Sequence, residues 1–395
     1  MSKFFINRPI VAIVIAILMV MGGVVAMLEL PIAQFPNIAD PMIQVKATYP
    51  GADAQTIAES VATPIEQQMS GVSGMNYMYS LSASSGGGMS LYVDFQLGTD
   101  VNTDQILAQM RVGQANSQLP SELVQQGVIV QPGTTAPFML LDLYSPTGVY
   151  DNIFLANYAI INLQYALTRV QGIGQVQIFG AGPYAMRIWV DPDKLANLGV
   201  TVSDIINAVK AQNRVNPAGQ VGGEPIPSGQ QFTYNVRAPG RLPTAADFDQ
   251  IVIRAQADGS ILRLKDVARV DLGSQYYSYN ARLGNADLKK PAQPAALIAL
   301  YLTPGTNALV TRDNVLKMMQ EAKGRFPQGL EYITALDTTL AVSAGISEIE
   351  KTLFEAIVLV IIVVFIFLQG WKATLIPLIA VPVSLIATFM VFPAL

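Results

Sequence analysis

This 395-residue chain contains no cysteine and no histidine, which leaves few routes to chemistry. Thiol catalysis, disulfide frameworks and the commonest zinc sites are excluded. The remaining nucleophile–base pairs are of the Ser–Lys type, and no spacing supports one. The "GGG" at residues 86–88 follows a strand but lacks the lysine of a phosphate-binding loop. "GIGQVQIFGAG" has glycines suited to a nucleotide turn, but a strand rather than a helix follows Gly174, so a dinucleotide site fails. The paired acids Asp191/Asp193 and Asp247/Asp249 stand where helix N-termini are expected and read as caps. The 15 methionines are scattered, unlike a metal relay. What remains is aromatic. Tyr77, Tyr79, Phe138, Phe179, Tyr276, Tyr277 and Tyr279 lie near strand ends, with Gln177 as a polar neighbour. Such a set suits large amphipathic ligands bound without tight specificity, though spacing alone fits ordinary core aromatics better.

The elements that must position these residues begin in a membrane. Hydrophobic residues make up 51% and charged residues 13% of the chain, against about 25% charged in an average soluble domain. Net charge is −4, so no basic field points to nucleic acid. Residues 10–28 carry no charge and span about 28 Å as a helix, close to a bilayer core. Residues 352–369 contain only Glu355, and residues 373–395 contain no charge. Pro377 and Pro382 in that last run are tolerated in membrane helices. Lys3, Arg8 and Lys372 mark the cytoplasmic flanks, so residues from about 30 to 350 lie outside as one large region. "GVVA" offers a signal-peptidase-like site, but the first segment's length favours a retained anchor.

The external region reads as one pattern given twice. The first copy is the strand "MIQVKATYP", the helix "ADAQTIAESVATPIEQQM", the strands "NYMYSLSAS" and "SLYVDFQL", a helix after "GTDVN", and the strand "GVIVQ". The second runs from "FMLLDLYSP" through "NIFLANYAIINLQYALTRV" to "QIFG", then resumes at "AALIALYLTPGTNAL" and ends in "EYITAL". "SGVSGM" and "QGIGQV" occupy matching turns, and the residue after each Gly-Thr is a helix cap. The order in both is β-α-β-β-α-β, the split βαβ or ferredoxin-like unit. The expected fold class is therefore an α+β membrane protein. An insertion over residues 183–272 carries the strand "YAMRIWV", a helix capped by Ser203, and "NPAGQVGGEPIPSGQQF". That Gly/Pro/Gln-rich stretch is too long for a turn and reads as a linker or, given its flanking strands, as an arm pairing with a neighbour.

"FFINRPI", "LPIAQFP", "YPGADAQTIAESVATPIEQQMSGV", "QLGTDVN", "GQVQIFG", "AGQVGGEPIPSGQQF", "DGSILRLKDVARVDLG" and "FLQGWKATLIPLIAVPVSL" are collinear with one family. The chain resembles the inner-membrane pumps of the resistance-nodulation-division (RND) superfamily, in the hydrophobe/amphiphile efflux branch (AcrB-like), across its whole length. The resemblance implies transmembrane helix 1 in residues 1–29 and a first porter subdomain in 30–136. A second porter subdomain is split between 137–182 and 273–336 by a docking subdomain at 183–272. Transmembrane helices 2 and 3 then fall in 337–370 and 371–395. It implies a homotrimer in the bacterial inner membrane, working with a periplasmic adaptor and an outer-membrane channel. Drugs, dyes and detergents are exported at the expense of the proton motive force, with no cofactor and no enzymatic step.

Carried across by position, Phe138, Leu141, Gln177 and Phe179 fall on substrate-binding positions, and Tyr276 and Tyr279 on two more with a changed residue type. Ala335 stands where the typical pump has Tyr, and "NADLKKPAQPAAL" is longer than the usual link, so the pocket is rearranged. The trimer arm falls on Asn216, Pro217, Gly219, Gln220, Gly222, Gly223 and Pro225. The family's proton relay, paired Asp residues on a fourth membrane helix with a later Lys, has no counterpart in the three segments. The chain thus reads as the N-terminal part of such a pump. A naturally short, membrane-anchored binding or assembly protein without transport is the alternative. An extracytoplasmic enzyme lacks a visible base–nucleophile pair.

Overall fold

A computed structural model describes residues 4–5, 7–29, 40–49, 51–84, 88–133, 136–215, 217–222, 229, 232–237, 240–255, 259–277, 280–284, 291–303 and 305–391. Helix α1 (Pro9–Glu29) opens the chain, followed by β1 (Met42–Thr48). The next helix, α2 (54–69), widens into a π turn over Ala58–Ala62. Pro64 sits just beyond that turn and has no N–H to donate to Ser60, so the ladder is already broken there. After it come β2 (Met75–Ala83), β3 (Gly88–Phe95), α3 (Val101–Ala115), α4 (Ser121–Gln126) and β4 (Ile129–Pro132).

The second copy starts with β5 (Met139–Tyr144), α5 (152–168) and β6 (Ile173–Phe179), and α5 carries a π turn at the corresponding place, Ala159–Gln164. The insertion follows as β7 (Tyr184–Val190), α6 (Pro192–Leu198), α7 (Val202–Gln212), β8 (Pro217–Val221) and β9 (Tyr234–Arg237). It continues through α8 (Ala245–Asp249), β10 (Val252–Ala255), β11 (Ile261–Arg263), α9 (Leu264–Val267) and β12 (Ala268–Ser274). The return leg is β13 (Ala281–Leu283), β14 (Gln293–Leu302), α10 (Ala308–Lys323) and β15 (Glu331–Asp337). Two apolar helices close the described chain, α11 (Thr339–Leu368) and α12 (Trp371–Thr388).

Both sheets are antiparallel and have the same strand order. The first is β2-β3-β1-β4; the second is β6-β14-β5-β15, with β13 extending the β6 edge of β14. Each buries one face under its two helices. Val45, Leu91, Val93 and Phe95 meet Ile57, Ile65, Ala108 and Val112 in one core. Met139, Leu141, Leu143 and Ile298 meet Leu155, Leu163, Val315 and Met319 in the other. A fully buried Leu contributes about 2 kcal/mol here, so these faces dominate the stability of each unit. A third core, around Leu195, Phe248, Ile251 and Leu264, belongs to the insertion. Strand β12 pairs with β7 from Ala268 through Ser274, so the insertion's closing strand runs past residue 272.

The caps fall where sequence placed them at three helices and are corrected at two. Helix α8 is capped by Thr244, with Asp247 closing the box from its third position and Asp249 ending the helix. Asp100 and Asn307 accept the first free N–H groups of α3 and α10, and Asp191 those of α6. The expected cap at Ser203 is corrected to Thr201. Asp204 N donates to Thr201 Oγ1 at 3.2 Å and Thr201 N to Asp204 Oδ2 at 2.8 Å, a reciprocal box that starts α7 two residues earlier. Among the described residues, one helix, Pro9–Met27, has the length and apolarity to cross a membrane. The expected second apolar segment lies within α11, which begins well before residue 352. The third, expected over residues 373–395, coincides with α12 as far as Thr388, and residues 374–388 form a shorter apolar helix. Gly23 of α1 packs directly on the Ile386 carbonyl of α12, so these two helices touch through bare backbone.

Candidate functional site

Each sheet has one face without helices, and strand alternation decides what stands on it. Leu91, Val93 and Phe95 point into the first core, so Tyr92 and Asp94 stand on the opposite face. There the register sets Tyr79 opposite Tyr92 and Tyr77 opposite Asp94. The rings of Tyr79 and Tyr92 stack at 5.0 Å, and Tyr77 and Tyr79 at 6.5 Å. Gln44 Nε2 donates to the Tyr92 hydroxyl (2.9 Å) and Gln131 Nε2 to Gln44 Oε1 (3.1 Å), tying β3, β1 and β4 together.

On the second sheet the core takes Met139, Leu141, Leu143, Val176, Ile178, Ala296, Ile298 and Leu300. The helix-free face is left with Leu140, Asp142, Gln177, Phe179, Leu297 and Tyr301. Phe179 and Asp142 both pair with Leu297, one from each side, and Gln177 and Leu140 both pair with Ala299. The Tyr301 hydroxyl donates to Gln177 Oε1 at 3.4 Å. Burial raises the Tyr301 phenol above its usual range, and the nearby Tyr92 phenol adds to that. Tyr92 and Tyr301 stand on helix-free faces of different sheets, close enough for one phenol to influence the other.

Of the residues expected from sequence, Gln177 and Phe179 share this face, and Tyr77 and Tyr79 stand on the helix-free face of the first sheet. Phe138 and Leu141 do not join them. Both are buried in the second core, Leu141 completely. Tyr276 lies elsewhere, its ring against Gly182 and its carbonyl accepting from Ser274 Oγ at 2.7 Å. Tyr279 is outside the described residues, as are Asn216, Gly223 and Pro225 of the arm. Pro217, Gly219 and Gln220 form β8, Gly222 follows it, and β8 pairs with β9 in a hairpin. That hairpin region exposes Val221, Phe232, Tyr234 and Val236.

Sequence reasoning passed over Gln44, Tyr92, Asp94, Asp142 and Tyr301. The signal was present in "LYVDF" and "LLDLY", an acid in the middle of an apolar strand, which has to stand on the face away from the core. Burial pushes the Asp142 carboxyl up to about 6, and it raises Asp94 as well. Among the described residues no group of three or more Asp or Glu is placed to hold a metal ion. Phenols, amides and isolated acids on these faces can bind and orient an amphipathic molecule.

The AcrB/AcrD/AcrF family matches residues 1–395. The chain is 41% identical over 393 residues to the solvent-resistant pump membrane transporter SrpB of Pseudomonas putida. It is 42% identical over 396 residues to the multidrug export protein AcrF of Escherichia coli strain K12. It is 39% identical over 393 residues to the toluene efflux pump membrane transporter TtgE of Pseudomonas putida. Each alignment covers 100% of this chain and 37% of the relative, so the chain spans little more than a third of their length. The match takes in both β-α-β-β-α-β units, the insertion between them and the apolar helices, and the chain belongs to the AcrB/AcrD/AcrF family.

Proposed function

We propose that this chain is part of a proton-driven multidrug efflux transporter that exports amphiphilic drugs, dyes and detergents across the cell envelope. The observation that carries the reading is the aromatic and amide lining of the two helix-free faces, Tyr79 and Tyr92 on one and Tyr301, Gln177 and Phe179 on the other. Rings provide apolar contact of many shapes, while amides and phenols satisfy a few polar groups without demanding one arrangement. The shared strand order supports two ferredoxin-like porter subdomains, and the separate third core supports a docking subdomain between them. The exposed apolar side chains of the β8–β9 hairpin suit an arm seated on the next protomer of a homotrimer. In this reading α1, α11 and α12 lie in the inner membrane and the sheets in the periplasm, where an adaptor and an outer-membrane channel complete the path. The proton motive force drives export, and no cofactor or catalytic residue is needed.

The test is accumulation of a fluorescent amphiphilic dye in cells lacking their own major pumps and carrying the complete gene. Phe179→Ala is expected to raise accumulation several-fold toward the pump-less level. Unchanged export of every dye and detergent tried would remove Phe179 from the substrate path.

A further inference from the structure

Strand β15 is paired along one edge only, and the side chain it covers is an acid. The pairing sets Ile333 against Asp142 and Thr334 against Leu141, then Leu336 against Leu140. Ala335 is thus an extra residue, and the ladder is broken there. β15 ends the strand order of its sheet, with no strand on its outer side among the described residues. One residue beyond it, Thr338 donates to the Phe138 carbonyl, and α11 begins at Thr339. The strand that leads into α11 is therefore an edge strand with a bulge, which lifts away at less cost than a central one.

Asp142 stands on the helix-free face, buried between Leu297 of β14 and Ile333 of β15. Ile333 and Leu336, both half-exposed, are the apolar cover on the β15 side. The other ionisable groups on the surrounding strands are Tyr144 on β5, Tyr301 on β14, and Glu331, Tyr332 and Asp337 on β15; β6 has none. Tyr301 has the Tyr92 phenol of the first sheet near it. Lys323 of α10 is spent on Glu331 at 2.8 Å, and Asp337 Oδ1 accepts from Thr339 N at 2.9 Å. None of these groups balances Asp142, whose carboxyl is lifted to about 6 by burial alone. A carboxylate in that place needs water. β14 cannot move aside without breaking its ladders with β5 and β6, whereas β15 opens at Ala335.

We propose that Asp142 is a proton-operated latch for β15: protonated, it lets the strand lie closed on β5 up to the α11 junction, and ionised, it draws in water and opens the strand at the Ala335 bulge. The latch goes beyond the export reading and does not rest on it, because it concerns only how firmly one strand holds α11 at a given pH. The closed strand keeps a proton that the open strand releases. Closure is therefore complete below about pH 4 and is lost as pH rises through about 6.

The test is amide hydrogen exchange of the complete, membrane-purified protein, with each rate corrected for the intrinsic pH dependence of exchange. Between pH 5 and pH 7.5 the protection of residues 331–338 is expected to fall about tenfold in wild type, while β14 keeps its own. Asp142→Asn is expected to hold the low-pH protection at both values. Ile333→Ala thins the cover over the carboxylate and is expected to move the midpoint of the loss to lower pH, a readout that stands even if the Asn variant fails to fold. A pH-independent strand overturns the latch, as does an Asn variant with the wild-type response or an unmoved midpoint in Ile333→Ala. An equal loss in β14 also overturns it, since Asp142 would then bear only on overall stability.

Discussion

Thr338 donates twice to the same acceptor: its backbone N–H reaches the Phe138 carbonyl at 3.0 Å and its hydroxyl reaches it at 2.9 Å. The bond joins the start of β5 to the residue that precedes α11, across 200 positions of sequence. Thr339, fully buried, continues the clasp through Asp337 and through Arg312 Nη1 at 3.4 Å. Any displacement of α11 is therefore passed to the second sheet at Phe138. Thr338→Val keeps the backbone bond and the side-chain shape but removes the hydroxyl. It is expected to cost about 1 kcal/mol, read as a lower thermal midpoint of the detergent-solubilised protein. An unchanged midpoint would show that the backbone bond alone holds the junction.

The two matching glycine turns separate backbone strain from crowding. Gly71 and Gly172 both have positive φ, +80 and +93. Beside Gly71 nothing lies within 4 Å of an added Cβ, whereas at Gly172 that atom would overlap Thr311 Oγ1. The Gly172 carbonyl also receives Thr303 N at 2.9 Å, so the turn cannot swing away freely. Gly71→Ala should cost about 1 kcal/mol from φ alone, and Gly172→Ala about 2 kcal/mol or more. Equal losses in chemical denaturation would refute the crowding at Gly172.

The repeat itself was legible because turns are written in glycine and caps in Asp or Asn. Gly71 with Gly172, and Asp100 with Asn307, mark the same two joints of each unit. In β5 the direction of the side chains hangs on one residue. Asp142 in "FMLLDLY" has to turn away from the core, and alternation then puts Leu140 on its face and Leu141 in the core. The pairing with β14 and β15 has this arrangement. The run of β14 around Tyr301 holds no such acid, so Tyr301 escaped notice beside Gln177. The start of α11 was hidden for another reason. Glu348, Glu350 and Lys351 end the apolar run, but a helix continues through charge as readily as through leucine until a breaker intervenes.

The β8–β9 hairpin leaves Phe232 68% and Tyr234 66% exposed, an arrangement unfavourable in a lone chain. On the proposed trimer these rings are covered by the neighbouring protomer. Phe232→Ser combined with Tyr234→Ser is expected to shift the protein from trimer toward monomer at micromolar concentration, as seen by native mass spectrometry or sedimentation. A trimer unaffected by the double change would place the subunit contact elsewhere.

Asp142 gives the protein a pH dependence of defined sign. It is 8% exposed on the helix-free face, flanked across strands by Leu297 and Ile333. The nearest charge along β15, Glu331, is engaged by Lys323 at 2.8 Å. Burial pushes its carboxyl from 3.8 up to about 6, so the folded protein holds this proton at pH values where the unfolded chain has released it. Stability from this group is greatest below pH 4, declines as pH rises to about 6, and reaches its minimum above that. The penalty at neutral pH is about 2–3 kcal/mol, since each tenfold change in proton affinity is worth about 1.4 kcal/mol. Asp142→Asn removes the ionising group while keeping its shape. The variant should equal wild type near pH 4, exceed it by most of that amount at pH 7, and show a flatter profile between. Denaturant midpoints at four or five pH values decide the matter: parallel curves for the two proteins would mean that the Asp142 carboxyl ionises in the fold as easily as in water.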